Sequence, residues 1–374
     1  MAEEVLSDLR RLVVKIGSAL LVDENRQFNR NWLDQLATDV AGLRDAGHQV
    51  LIVSSGAVAL GSQVLGINAR RSRLEELQAA AAAGQVQLVH AYQDALGRHK
   101  IKAAQILLTP DDTEVRRRFL NARGTLEKLL DLDVVPVINE NDTVATDELR
   151  YGDNDRLAAR VAQTVMADGL ILLSDVDGLY TSDPRSDANA QHIELVENIT
   201  EEHLEMADGS GSSLGSGGMQ TKLQAARIAT RAGCVTIVAN GTTERPLRGL
   251  ANGNKCTVFS AEATPAAARK QWLAGVLEVC GELHVDAGAA TALGNGNSLL
   301  PVGITEVIGK FGRGDAVTLV GADGRELGRG LAAYASDEAI AIKGCRSGQL
   351  AEKLGYRGRS VMVHRDDLVL FGSK

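Results

Sequence analysis

The sequence predicts an α/β protein: a three-layer α/β/α domain around a mainly parallel sheet, followed by a small β-barrel-like domain. Three observations predict it. Short, continuously apolar strands alternate with helical segments through the first two thirds of the chain, as in a parallel sheet covered on both faces. Near residue 260 the pattern changes to short strands separated by glycine-rich turns, as in a small β domain. The length of 374 residues also exceeds the roughly 250–300 that one core usually organises.

The elements follow in order. Leu12-Val13-Val14-Lys15-Ile16 is a strand that ends at Gly17, and Asn31 to Ala46 has helical spacing up to Gly47. Val50 to Val53 is a strand ending in Ser54-Ser55-Gly56, and Leu74 to Leu96 is a long Ala-rich helix or helix pair. Ile101–Leu108, Val134–Ile138, Leu170–Leu173 and Val235–Val238 read as strands. Asn121–Leu130, Asn154–Met166 and Thr221–Arg231 read as helices. Residues 8–260 are therefore expected to form the first domain, 261–279 a linker and 280–374 the second domain. In the latter, strands are expected at Leu283–Val285, Gly303–Val307, Ala316–Val320, Ala339–Ile342 and Ser360–Val363.

Composition narrows the function. Forty basic against 48 acidic residues give a net charge of −8, which argues against a simple coat for nucleic acid or anionic lipid. Aromatics are 3%, too few for base-stacking platforms to be the main business. The acidic start is followed by no signal-peptide pattern, and no apolar run approaches the ~20 residues of a membrane helix. The four cysteines form no CxxC pair, so reduced thiols in a cytoplasmic protein are expected.

Four polar turns follow strands of the first domain, where an open parallel sheet binds its ligands. Lys15-Ile16-Gly17-Ser18 can set an ammonium and backbone N–H groups on a phosphate; taken alone, a surface lysine beside a turn is the plainer reading. Ser54-Ser55-Gly56-Ala57 is a second anion-holding turn or an ordinary N-cap. Asn139-Glu140-Asn141-Asp142-Thr143 and Gly152-Asp153-Asn154-Asp155 crowd carboxylates and carboxamides after one apolar strand. They suit a solvated loop or a grip on a zwitterion, and Asp155 at a helix start could orient nearby lysines. Ser174-Asp175-Val176-Asp177-Gly178-Leu179-Tyr180 and Gly215-Ser216-Gly217-Gly218-Met219-Gln220-Thr221-Lys222 make the fourth, a glycine-rich cradle with a lysine at a helix entry. It has neither Walker A nor GxGxxG spacing.

The seven histidines do not cluster, and HExxH and EF-hand patterns are absent. General-base catalysis by histidine and a metal cage made only by the protein lack support. Transfer of a phosphoryl group to a carboxylate needs neither, because the nucleophile is already an anion. It needs charge neutralisation and alignment.

Lys15-x-Gly17-Ser18, Ser54-Ser55-Gly56-Ala57, Asn139-Glu140-Asn141-Asp142, Gly152-Asp153-Asn154-Asp155, Asp175-x-x-Gly178-Leu179-Tyr180 and Gly217-Gly218-Met219-x-Thr221-Lys222 occur in this order. In this the chain resembles the glutamate 5-kinase family of the amino-acid kinase superfamily. Its C-terminal part resembles a PUA domain. The resemblance implies ATP-dependent phosphorylation of the γ-carboxylate of L-glutamate, the first step towards proline. It implies Lys15, Lys222 and Asp155 as catalytic residues, and Ser55, Asp142 and Asn154 as the glutamate site. It implies Lys15, Gly17, Ser174, Asp175 and Ser216, Gly217, Gly218, Met219, Gln220, Thr221 and Lys222 as the ATP site. Ser174 and Ser216 stand where threonine is common, and both keep a hydroxyl. ATP with Mg²⁺ held mainly by the nucleotide, proline as feedback inhibitor and a homo-oligomer (dimer or tetramer) complete what it implies; hand-off of the labile product to glutamyl phosphate reductase is left open.

Two rivals stand beside it. Another amino-acid kinase would keep the fold and change the acceptor. An RNA-binding protein would act through the C-terminal domain. Residues 276–374 hold 11 basic and 12 acidic side chains, and Arg346 to Lys374 hold six basic and three acidic. That is a patch of the kind RNA binding needs, or an ordinary solvated surface.

Overall fold

The computed structural model describes residues 2–22, 27–69, 71–144, 154–207, 218–275 and 278–371. Two compact units emerge: Met1–Glu114 with Ala122–Pro265, and Val115–Asn121 with Ala266–Lys374.

The first unit is built on a sheet of eight strands among the described residues. They are β1 (Arg11–Ile16), β2 (Gln49–Ser54), β3 (Lys102–Leu108), β4 (Val134–Glu140), β5 (Gly169–Ser174), β8 (Leu195–Val196), β9 (Val235–Asn240) and β10 (Cys256–Phe259), in spatial order β3-β4-β2-β1-β5-β9-β10-β8. A separate ribbon pairs β6 (Leu179–Tyr180) with β7 (His192–Ile193). All pairings in the large sheet are parallel except β9–β10. The mainly parallel three-layer reading is thus correct. All six residues of β5 are buried, which explains its unbroken apolar sequence.

Successive side chains of a strand point to opposite faces, and β1 shows what this does. Leu12, Val14 and Ile16 enter the core that holds Trp32, Leu36, Leu88 and Tyr92. Val13 enters the opposite core with Leu157, Val161, Leu223 and Ala226. Lys15 has the parity of Val13, the face covered by helices Asn154–Thr164 and Met219–Arg231. Parallel register brings the carboxyl ends together: Ile16 pairs with Ser54 and Leu173, Ser174 with Asn240, and Leu107 with Asn139. The polar turns that follow β1, β2, β4 and β5 consequently leave from one edge of the sheet.

The second unit holds β11 (Gly281–Val285), β12 (Ile304–Gly309), β13 (Ala316–Val320), β14 (Glu326–Leu331) and β15 (Leu368–Leu370), in the order β12-β11-β13-β14-β15. Three differences from the sequence reading stand out here. Ala339–Ile342 is the end of a helix, Ser336–Ile342, and not a strand. Its helical period buries Ala339 and Ile342, three apart, and leaves Ile340 exposed. The Ala335 N–H donates to the Glu338 carboxylate to start it. Ser360–Val363 is irregular apart from one bridge between Val363 and Leu299. In its place β14 and β15 complete the sheet, and Gly328 of β14 lets β15 approach so closely that a Cβ there would lie 2.0 Å from Val369 O. Within 261–279, residues Pro265–Ala274 form a helix. Among the described residues no helix is long and apolar enough to cross a membrane.

Candidate active site

Asp155 is the centre. It is the second residue of helix Asn154–Thr164, and its side chain is fully buried. Lys15 Nζ reaches its Oδ1, and Lys222 Nζ lies 3.3 Å from its Oδ2. Thr221 Oγ1 donates to the same Oδ2 at 3.1 Å. The three charged side chains come from the end of β1, the start of one helix and the first turn of another. Lys15 and Lys222 are 5% and 4% exposed. Burying an ion costs several kcal/mol unless its partners are close and well directed, so a place for two ammoniums around one carboxylate is not incidental packing.

Beside Asp155, Asn154 directs its amide the other way. Its Nδ2 lies 2.8 Å from each of Ser54 O, Ser55 Oγ and Asn139 Oδ1. Asn139 Nδ2 donates to Gln85 Oε1 at 2.8 Å, and Tyr92 OH donates to Ser54 Oγ at 3.0 Å. Burial pushes the Tyr92 phenol well above its ordinary pKa, the Ser54 hydrogen bond opposing it, so it remains a neutral donor. Asp142 is half-buried in the turn after β4.

Ser174 and Asp175 leave the end of β5, where Ser174 Oγ donates to Asp175 Oδ1 at 2.9 Å. They line a cavity of about 280 Å³ together with Gly178, Tyr180, Gly218, Met219 and Lys222. Gly218 caps helix Met219–Arg231 without a side-chain hydrogen bond. Gly17 caps the short helix Ser18–Leu21 and sits beside the end of β5, with Leu173 O 3.7 Å from where its Cβ would be. Gln220 is exposed on the first helical turn. Ser216 and Gly217, like Gly152 and Asp153, lie outside the described residues.

The structure therefore joins Lys15, Asp155, Thr221 and Lys222 in one cluster and Ser55 with Asn154 in a second. Ser174, Asp175, Gly218 and Met219 line one cavity. Sequence reasoning left out Gln85 and Tyr92, and also Asn240 at the end of β9, which lines the same cavity. Asn139 carried a visible signal in its polar stretch after an apolar strand. Gln85 and Tyr92 lie on an Ala-rich helix with no motif around them. Among the described residues no group of three or more His, Cys, Asp or Glu side chains is placed to hold a metal ion.

A lysine at a strand end and a second at a helix entry, both on one buried aspartate beside a glycine-capped helix, fit a phosphotransferase, and the chain belongs to the amino acid kinase family, whose sequence profile matches residues 10–240. The profile of the PUA domain matches residues 281–354. Over 372 residues the chain is 54% identical to the glutamate 5-kinase of Rhizobium rhizogenes, covering 100% of this chain and 96% of that relative. Over 368 residues it is 55% identical to the glutamate 5-kinase of Paramagnetospirillum magneticum, covering 98% and 99%. Among solved structures, carbamate kinase from Giardia lamblia bound to AMP-PNP aligns with a TM-score of 0.49 at 18% identity, covering 68% of this chain and all of that one.

Proposed function

We infer that the chain transfers the γ-phosphoryl group of ATP to the γ-carboxylate of L-glutamate, giving L-glutamyl 5-phosphate for proline synthesis. The observation that carries the chemistry is the pair of buried ammoniums held one to each oxygen of Asp155. A glutamate carboxylate oxygen attacks the γ-phosphorus while the bond to the leaving ADP oxygen breaks. The nucleophile arrives ionised, so the chain supplies alignment and positive charge.

Lys15 and Lys222 would face the transferring group, and Asp155 would hold both in place. Thr221, through its hydrogen bond to Asp155, would fix the first turn of the helix that carries Lys222. The residues present fit a nucleotide. The cavity bordered by Ser174, Asp175, Gly218 and Met219 leads to Lys222, and a 13-residue helix begins beside it at Gly218, its positive dipole end favouring phosphate. Mg²⁺ carried on the phosphate oxygens would neutralise charge there. Ser55, Asn154 and Asp142 would grip glutamate. The Asn154 amide has two hydrogens for three acceptors, which leaves acceptor capacity for an ammonium.

The same reading makes residues 8–260 the catalytic domain and 280–374 an appended PUA domain. It carries proline as feedback inhibitor, a homo-oligomer, hand-off of the labile product to a reductase, and a cytoplasmic setting. The test is an acceptor panel with ATP, Mg²⁺ and hydroxylamine to trap acyl phosphate. Hydroxamate from L-glutamate, with little from aspartate or N-acetylglutamate, is expected. Robust turnover of aspartate without glutamate would contradict the acceptor.

A further inference from the structure

Thr257 stands outside every motif of the sequence and does not line the cavity. It lies in β10, fully buried, opposite Val238 of β9. Its hydroxyl accepts a hydrogen bond from Leu179 N–H at 2.7 Å and donates one to Ile193 O at 2.6 Å. Leu179 and Ile193 face each other in the β6–β7 ribbon. The hydroxyl thus relays across that pair and fastens the ribbon to β10, the strand next to the edge of the large sheet. The first strand of the ribbon and the turn before it, from Asp175 to Tyr180, form one wall of the nucleotide cavity.

The turn is fitted to this hydroxyl. Gly178 has φ +149°, and a Cβ on it would lie 2.5 Å from both Thr257 Oγ1 and His192 Nε2. Only a residue without a side chain lets the wall settle there. Polar backbone groups buried without partners are costly. Loss of the hydroxyl would therefore force Leu179 N–H and Ile193 O to move towards other partners, and the wall with them.

We propose that Thr257 is a positioning residue for the nucleotide: through Leu179 and Ile193 it sets the wall that ATP packs against, while touching neither substrate. This rests on the functional reading above. The test compares Thr257→Val, which keeps the shape and removes the hydroxyl, with Thr257→Ser, which keeps the hydroxyl. ATP dissociation is measured by calorimetry on the full chain, together with kcat and both KM values. Thr257→Val is expected to weaken ATP binding and raise its KM about tenfold, with kcat and glutamate KM within about twofold. Thr257→Ser is expected to restore the parent value.

A Thr257→Val protein that binds ATP like the parent overturns the proposal alone. So does a parallel rise in both KM values that serine fails to reverse. If the valine variant does not fold, Gly178→Ala presses on the same contact from the wall side and must raise the ATP KM; an unchanged value overturns the proposal. Absence of ATP binding to the parent overturns the functional reading and this proposal with it.

Discussion

A single buried carboxylate organises the lysine cluster of this molecule. Asp155 meets Lys15 and Lys222 only because three local facts coincide: the parity of Lys15 on β1, the position of Asp155 in the first turn of its helix, and the entry of Lys222 one turn into another. The roles proposed for the two lysines and for the glutamate-binding residues differ, and kinetics separate them. Lys222→Ala should lower kcat by about 10²–10³, the scale for losing one charge-stabilising donor in a transition state, with a smaller rise in glutamate KM. Asp142→Ala should mainly raise glutamate KM. Steady-state kinetics on both variants decide, and the opposite pattern would exchange the roles. These residues were legible in the sequence because each sits in or beside a short polar or glycine-rich motif. Gln85 and Tyr92 were not. They reach the site across 54 and 38 residues of sequence, and nothing local to an Ala-rich helix announces a buried hydrogen bond.

Helices and ribbons carry the next level of constraint. Helix Ala57–Leu65 begins just after the Ser55-Gly56 turn and crosses helix Leu74–Gly97 at two facing glycines. A Cβ on Gly61 would stand 1.7 Å from Ala80 O, and one on Gly84 1.9 Å from Ala57 O. Gly61→Ala must part the helices and is expected to cost about 2–3 kcal/mol, with a raised glutamate KM because Ser55 moves with its helix. Gly97→Ala, in open space on the same long helix, should be neutral or stabilising by up to about 1 kcal/mol. Thermal or urea unfolding of the pair checks both.

The β6–β7 ribbon gives a pH dependence. Burial, then the charge of Lys255, hold His192 below its ordinary pKa, with Asp177 and Glu194 opposing. Below about pH 6.5 the unfolded chain takes up a proton at this histidine before the folded one does, so stability is lost as pH falls. The urea midpoint should drop between pH 7.5 and 5.5, and His192→Asn should shrink that drop.

Periodicity decided which elements the sequence revealed. Strands buried on both faces, such as β5, were plain. Ala339–Ile342 was misread because four apolar residues are too few to distinguish a period of 2 from 3.6. β14 was missed because Gly328 and Gly330, which let β15 and Val363 come close, weaken a strand signal.

Over the whole molecule, the second unit is assembled from two stretches of chain. Phe119 and Leu120 belong to it, buried with Leu273, Ala316 and Leu331, and Arg359 Nη2 donates to Leu120 O at 3.0 Å. A chain cut after Pro265 loses that cover. Re-exposing a buried Phe or Leu costs about 1.5–3 kcal/mol each, so the shortened protein should be less soluble and bind more ANS than the full chain. Phe119→Ser with Leu120→Ser in the shortened chain should recover solubility. Equal solubility of the shortened and full chains would show that this cluster is dispensable.

Net charge also reads differently at this scale. The chain carries −8, yet its proposed reaction joins two anions, and a buried pair of lysines opposes the overall sign where it matters. Whether those lysines serve transfer to a carboxylate is tested most directly with L-glutamate labelled with oxygen-18 in its γ-carboxylate. Hydroxylamine attacks the acyl carbon of glutamyl phosphate and expels phosphate with the bridging oxygen. Each phosphate released should therefore carry one labelled oxygen. Unlabelled phosphate, released as ATP is consumed, would mean that water and not the glutamate carboxylate accepts the phosphoryl group.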